Sequence, residues 1–201
     1  RRSFDQVVNN WRGMTSFLET RCSSDASNFF DVMTQQLGVS TEDPLALEKV
    51  QLILERRRDL PFTYSKKNGR LLLTLMTNNR RGYNLLQGVS RDHLLNFNLP
   101  VDSQVVRVSL NTGLIKMEKV ASETLEIDKK KGDGLKVMRS DLTEPCQRAW
   151  NLVSQQLGSL PVDIDFYVWS GGALLCKHFG GYCFACPFAV VCDTWKTKQV
   201  R

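Results

Sequence analysis

Apolar residues recur at helical spacing through most of the first half of the chain. Phe4, Val7, Val8, Trp11, Met14, Phe17 and Leu18 fall three and four residues apart and make one apolar face of an amphipathic helix. Over 27–37 the same period is carried by Phe29, Phe30, Met33 and Leu37, with Gly38 placed as a helix stop. Asp43 followed by Pro44 is a cap with a first-turn proline, so a helix should run from there to about Arg58, closed by Pro61. The run 70–76 (Arg-Leu-Leu-Leu-Thr-Leu-Met) has no clear period and is assigned to helix because its surroundings are helical. Gly82, Gly88 and Pro100 punctuate a looser stretch. Asp102 then precedes Val105, Val106, Val108 and Leu110, with Gly113 beyond, the pattern of another capped helix. Thr143 and Pro145 open a helix through Leu157 that stops at Gly158, and a last helix covers about Asp163 to Leu175. Residues 121–140 carry the run Lys129-Lys130-Lys131-Gly132-Asp133-Gly134 and read as a solvated, charged loop, with a phosphate-binding patch as the alternative. The predicted class is all-α.

The chain has 201 residues, enough for one large domain or two small lobes with a real core. No apolar run reaches the roughly 18 residues that a membrane helix needs, and nothing after Arg1 and Arg2 resembles a signal peptide. The first residue is not Met, as in a chain processed or excised from something longer. The net charge of +6 is compatible with a polyanionic partner, DNA or RNA, and equally with a mildly basic solvated surface.

Cysteine placement changes the picture more than charge does. Four of the six cysteines fall in one segment, as Cys176-x6-Cys183-x2-Cys186-x5-Cys192. A disulfide framework would spread its cysteines over a small secreted chain. Clustering at one end instead points to thiolates around one inorganic centre, either zinc or an iron–sulfur cluster. Zinc sites usually present two short pairs, and here there is one, Cys183 and Cys186, flanked by longer arms. The neighbours Leu174, Leu175, Phe179, Tyr182, Phe184 and Phe188 would give a solvent-sensitive cluster an apolar shell. Gly180, Gly181 and Pro187 suit tight wrapping. The remaining pair, Cys22 and Cys146, read as small buried apolar residues.

The C-x6-C-x2-C-x5-C spacing resembles the [4Fe-4S] loop of the endonuclease III family of DNA glycosylases, in the helix-hairpin-helix glycosylase superfamily. The lead-in is similar too: Phe166-Tyr167-Val168-Trp169, then Gly171 or Gly172, then Cys176. A second match lies at 99–115, where Leu-Pro-Val-Asp is followed by Val105, Arg107-Val108 and Gly113-Leu114. It resembles the superfamily segment that holds the catalytic aspartate and places Asp102 at that position. The match covers about 99–115 and 160–195; over 1–98 only helical character and length agree. By itself Asp102 reads as a helix N-cap. In a glycosylase the same carboxylate would face the positive charge that develops on the sugar as the base leaves, or orient the attacking water.

The chain also departs from the family. Gln104 stands where the family usually has His. The nearest counterpart of the DNA-binding hairpin is Leu86-Gln87-Gly88-Val89-Ser90-Arg91-Asp92-His93-Leu94, with Ser90 for its second glycine and Asp92 for the lysine of the bifunctional members. The hairpin glycines let backbone N–H groups approach a phosphate, and the lysine performs lyase chemistry through a Schiff base. The resemblance therefore implies a glycosylase without lyase activity. The candidate DNA contacts are Gly88 and Ser90 of the hairpin counterpart, with Arg91, Arg80, Arg81 and Lys177; Lys66, Lys67 and Arg70 are further candidates for phosphate contact, and a solvated basic surface accounts for the basic residues equally well. His93 is a candidate pocket acid or base, though an ordinary half-buried histidine is the commoner case, and His178 lies inside the cysteine loop.

The resemblance implies two helical lobes with a cleft between them and a C-terminal cluster loop. The middle lobe would span about 25–115, and the cluster lobe 1–24 plus 116–201. It implies a [4Fe-4S] cluster on Cys176, Cys183, Cys186 and Cys192, DNA as partner with RNA as the alternative, a monomer, and an intracellular location in cytoplasm, nucleoid or nucleus. The rival readings are a non-catalytic nucleic-acid-binding or assembly module that keeps the fold, and an RNA- or nucleotide-directed relative.

Overall fold

A computed structural model of the chain describes residues 4–56, 66–77, 85–116, 142–176, 183–193 and 196. Among the described residues the structure is helical and has no strand. The all-α reading therefore stands. No helix among them is long and apolar enough to cross a membrane. The chain divides into two compact units, Arg1–Pro100 with Leu160–Asp163, and Val101–Ser159 with Ile164–Arg201. The sequence reading drew its lobes at 25–115 and at 1–24 plus 116–201. The first helix brings Phe17 into the core of the first unit, and the helix Ser103–Asn111 packs on elements of the second.

The first unit holds α1 (Phe4–Arg21), a short 3-10 turn (Ala26–Asn28), α2 (Phe29–Leu37), α3 (Ala46–Arg56), α4 (Lys66–Thr77) and α5 (Arg91–Leu95). Its core gathers Phe17, Phe29, Phe30, Met33, Leu47, Val50, Leu54, Leu73, Phe97 and Val162. Each such side chain contributes about 1.5–3 kcal/mol by leaving water. Trp11, assigned to the apolar face of α1, instead lies largely exposed. Helix α2 stops where its glycine allows: Gly38 takes φ of 60° and donates to the Gln35 and Thr34 carbonyls. Helix α3 starts at Ala46, because Asp43 first closes a turn in which its carboxylate accepts from the Leu45 N–H.

Two features of this unit correct the sequence reading. Arg70 is buried, with both Nη atoms donating to the Glu48 carboxylate at 2.6 Å and Nη1 also donating to the Asn98 carbonyl at 3.0 Å. Its guanidinium lies over the Phe97 ring, 5.0 Å from the centroid. It is committed to α3 and α4 and is not a phosphate contact. The loose stretch also contains a helix, α5, that apolar period could not reveal because it is five residues long. Ser90 caps it reciprocally: Ser90 Oγ accepts from His93 N, and Ser90 N donates to His93 Nδ1 at 2.9 Å.

The second unit holds α6 (Ser103–Asn111), α7 (Thr143–Gln156), α8 (Pro161–Ser170), a π-helical turn (Gly171–Leu175) and a short 3-10 turn (Cys183–Ala185). Residues 160–163 of this stretch belong with the first unit. Helix α6 packs against α7 and against the π-turn. Val105, Val106, Val108, Cys146, Trp150 and Val168 are buried, and Trp150 Nε1 donates to Ser109 Oγ at 2.8 Å. Cys22 and Cys146 are both buried, as expected from their isolation. The charged loop predicted over 121–140 lies outside the described residues.

Candidate functional site

Asp102 is the N-cap of α6, with extended backbone (φ −129°, ψ −174°). Its Oδ1 accepts from Gln104 N at 2.8 Å and Val105 N at 3.1 Å, so two of the otherwise unpaired N–H groups of the first turn are satisfied. Its Oδ2 accepts from the indole Nε1–H of Trp169 at 3.2 Å. The carboxylate is thus gripped on both oxygens and carries its charge at the positive end of the helix dipole. Trp169 is 45% exposed, so an aromatic ring lies open beside that carboxylate.

The grip depends on how closely α6 approaches the π-turn. Gly171 and Gly172 are both buried there. A Cβ on Gly172 would lie 2.6 Å from the Gln104 carbonyl oxygen, so only glycine fits. The turn is widened by a bond from Cys176 N to Gly171 O at 2.8 Å, five residues apart. The last predicted helix therefore ends at Ser170, and the glycine pair converts its continuation to π geometry. Arg107, buried on the same helix, donates to Gln104 Oε1 at 2.9 Å and to the Gly172 carbonyl at 3.4 Å.

The far end of α6 meets the cysteines. Asn111 Nδ2 donates to Cys176 Sγ at 2.9 Å, and the Cys192 thiol donates to the Asn111 carbonyl at 3.1 Å. Burial pushes the Cys176 thiol up. The Asn111 amide and Arg107 pull it down, and Cys192 and Cys186 add to the rise. Cys183 and Cys186 share a tight turn in which Cys186 N donates to Cys183 O. All six cysteines are free thiols, and among the described residues no group of three or more His, Cys, Asp or Glu is set to hold a metal ion. The donor chemistry suits a thiophilic centre, four partly buried sulfurs and an amide donor.

The hairpin counterpart looks unlike a phosphate cradle. Gly88 has the left-handed conformation a tight turn needs, φ of 77°, but the Asp31 carboxylate lies 2.9 Å from where its Cβ would be. An anion held there repels a phosphate. Ser90 is occupied as the α5 cap, while Arg91 is exposed. His93 is buried against the Phe30 ring at 5.3 Å between centroids and is bonded to Ser90, which makes it a structural residue of this turn. Arg80, Arg81, Lys177 and His178 lie outside the described residues, as do the side chains of Lys66 and Lys67.

Sequence reasoning singled out Asp102 and the four cysteines as candidates but not the partners of either. Trp169 entered only as part of an aromatic lead-in, and Asn111 did not enter at all. Neither contact leaves a local signal, since each joins residues more than sixty positions apart. Comparison with protein-family models, with curated proteins and with solved structures found no match to this chain.

Proposed function

We propose that this chain is a DNA N-glycosylase that removes a damaged or mismatched base by hydrolysis, without lyase chemistry, and that Asp102 is its catalytic carboxylate. The reading rests on the residue patterns at 99–115 and 160–195. The observation that carries it is a fixed carboxylate beside an exposed indole, with Asp102 held by two backbone N–H groups and by Trp169. In the reaction the bond between C1′ and the base nitrogen breaks. The electron pair leaves with the base, which takes up a proton. Positive charge spreads over the sugar ring, and a preplaced anion lowers the cost of forming it. Water then bonds to C1′ and releases its proton. A flipped base needs an aromatic surface to replace its lost stacking, and the Trp169 ring is open for that role.

The same reading gives Cys176, Cys183, Cys186 and Cys192 the task of holding a [4Fe-4S] cluster, which would supply a rigid brace for the C-terminal segment. DNA is the proposed partner, the cell interior the proposed location, and the monomer the proposed state. The Asp31 carboxylate against Gly88 favours a second reading, in which the substrate is RNA or a nucleotide, or the chain is a non-catalytic module, because it removes the duplex clamp at 86–91.

The test incubates the purified chain with oligonucleotides carrying uracil, oxidised or alkylated bases, then cleaves abasic sites with alkali. The reading predicts abasic product from at least one of them and none with Asp102→Asn. Product that is unchanged in Asp102→Asn removes the catalytic assignment, and no product from any oligonucleotide favours the second reading.

A further inference from the structure

The last turn of α6 reaches the cysteine segment by two separate routes. The first is Asn111, whose side-chain amide donates to the first thiol of the set and whose carbonyl accepts from the last. The second is Gly113, in the left-handed region at φ of 75°; a Cβ there would lie 2.0 Å from Asp193 Oδ2, so the side chain of the residue after Cys192 lies against this turn. Resting on the four-cysteine reading above, we infer that Asn111 is a positioning residue for the metal centre: its amide holds Cys176 in the ligating set and tunes the electron density on that sulfur.

The two Asn111 contacts behave oppositely when the thiols give up their protons to a metal. An N–H donor facing sulfur becomes charge-assisted as the thiol becomes a thiolate, so the Nδ2–Cys176 bond strengthens. The Cys192 contact depends on the S–H proton, and with the proton gone two electron-rich atoms face each other. The backbone carbonyl therefore serves the metal-free chain, and the side-chain amide serves the loaded one. A donor to a ligand sulfur stabilises the more electron-rich state of a cluster, which raises its reduction potential. Partners of this kind typically change metal affinity about 10–100-fold when removed.

The experiment compares the full chain with Asn111→Ala and with the isosteric Asn111→Asp, all prepared without air and checked for helical content by circular dichroism. The readouts are iron and sulfide per chain, the rate of iron loss to a chelator, and the reduction potential. The inference predicts about 10–100-fold faster iron loss in Asn111→Ala, with a potential more negative than the parent. Asn111→Asp should lose iron at least as fast, because it places an acceptor against the thiolate while keeping the shape. Parent-like iron loss and potential in both variants overturn the inference and leave the four-cysteine reading standing. A parent chain without iron overturns that reading and the inference with it.

Discussion

Asparagine caps a helix about as well as aspartate does, so one substitution can separate the capping role of Asp102 from the proposed catalytic one. Asp102→Asn keeps an acceptor for the Gln104 and Val105 N–H groups and loses only the exposed Trp169 bond, so its denaturant midpoint should fall less than that of Asp102→Ala, while the proposed base excision is lost. Asp102→Ala loses the cap as well and should cost about 1 kcal/mol in the same measurement. Asp43 offers a pH test at the same scale. The Lys49 ammonium and the Leu45 N–H hold its carboxyl below the usual carboxylate range, with the hydrogen bond to Lys49 the largest cause. A carboxyl depressed in the folded state stabilises the fold at any pH above its unfolded value of about 3.9, and the contribution is lost as pH falls through the folded value. Asp43→Asn should therefore lower the melting temperature at neutral pH, and its gap from the parent should close in acid below about pH 4.

Whole elements depend on two close approaches. Helices α3 and α4 are joined by the forked bond from Arg70 to Glu48, with the guanidinium shielded from water. Removing the acid strands that charge, so Glu48→Ala should cost about 3–5 kcal/mol in equilibrium unfolding, far more than loss of a surface ion pair. The π-turn and α6 meet at Gly172 against the Gln104 backbone, which cannot swing aside as a side chain can. Gly172→Ala should cost about 1–3 kcal/mol by overpacking, visible as a lower denaturant midpoint. Element by element, the sequence told most where forces are local. Asp102, Gly38 and Gly158 mark helix ends because caps and left-handed glycines act within a few residues. It misplaced Arg70 because burial of a charge depends on a partner elsewhere, Glu48, that no spacing rule reveals. It also extended the last helix through Leu175, since a π-turn is set by packing of Gly172 on α6 and not by propensity.

Over the whole molecule, the helical class was legible from apolar period, while the division into units was not. Where the chain parts depends on which faces find each other, and Phe17 packs with Phe29 at 5.9 Å between ring centroids, tying α1 to the first unit. The four-cysteine pattern was plain in the sequence as four residues of one type at short spacing, but the contact of Cys176 with the helix that Asp102 caps was not, because Asn111 lies far from Cys176 in sequence. One helix thus carries the proposed catalytic carboxylate at its start and holds two thiols at its end. The most direct measurement is the iron, acid-labile sulfide and zinc content of the chain purified without air. The account predicts about four irons and four sulfides per chain; zinc in their place, or no metal, would contradict it.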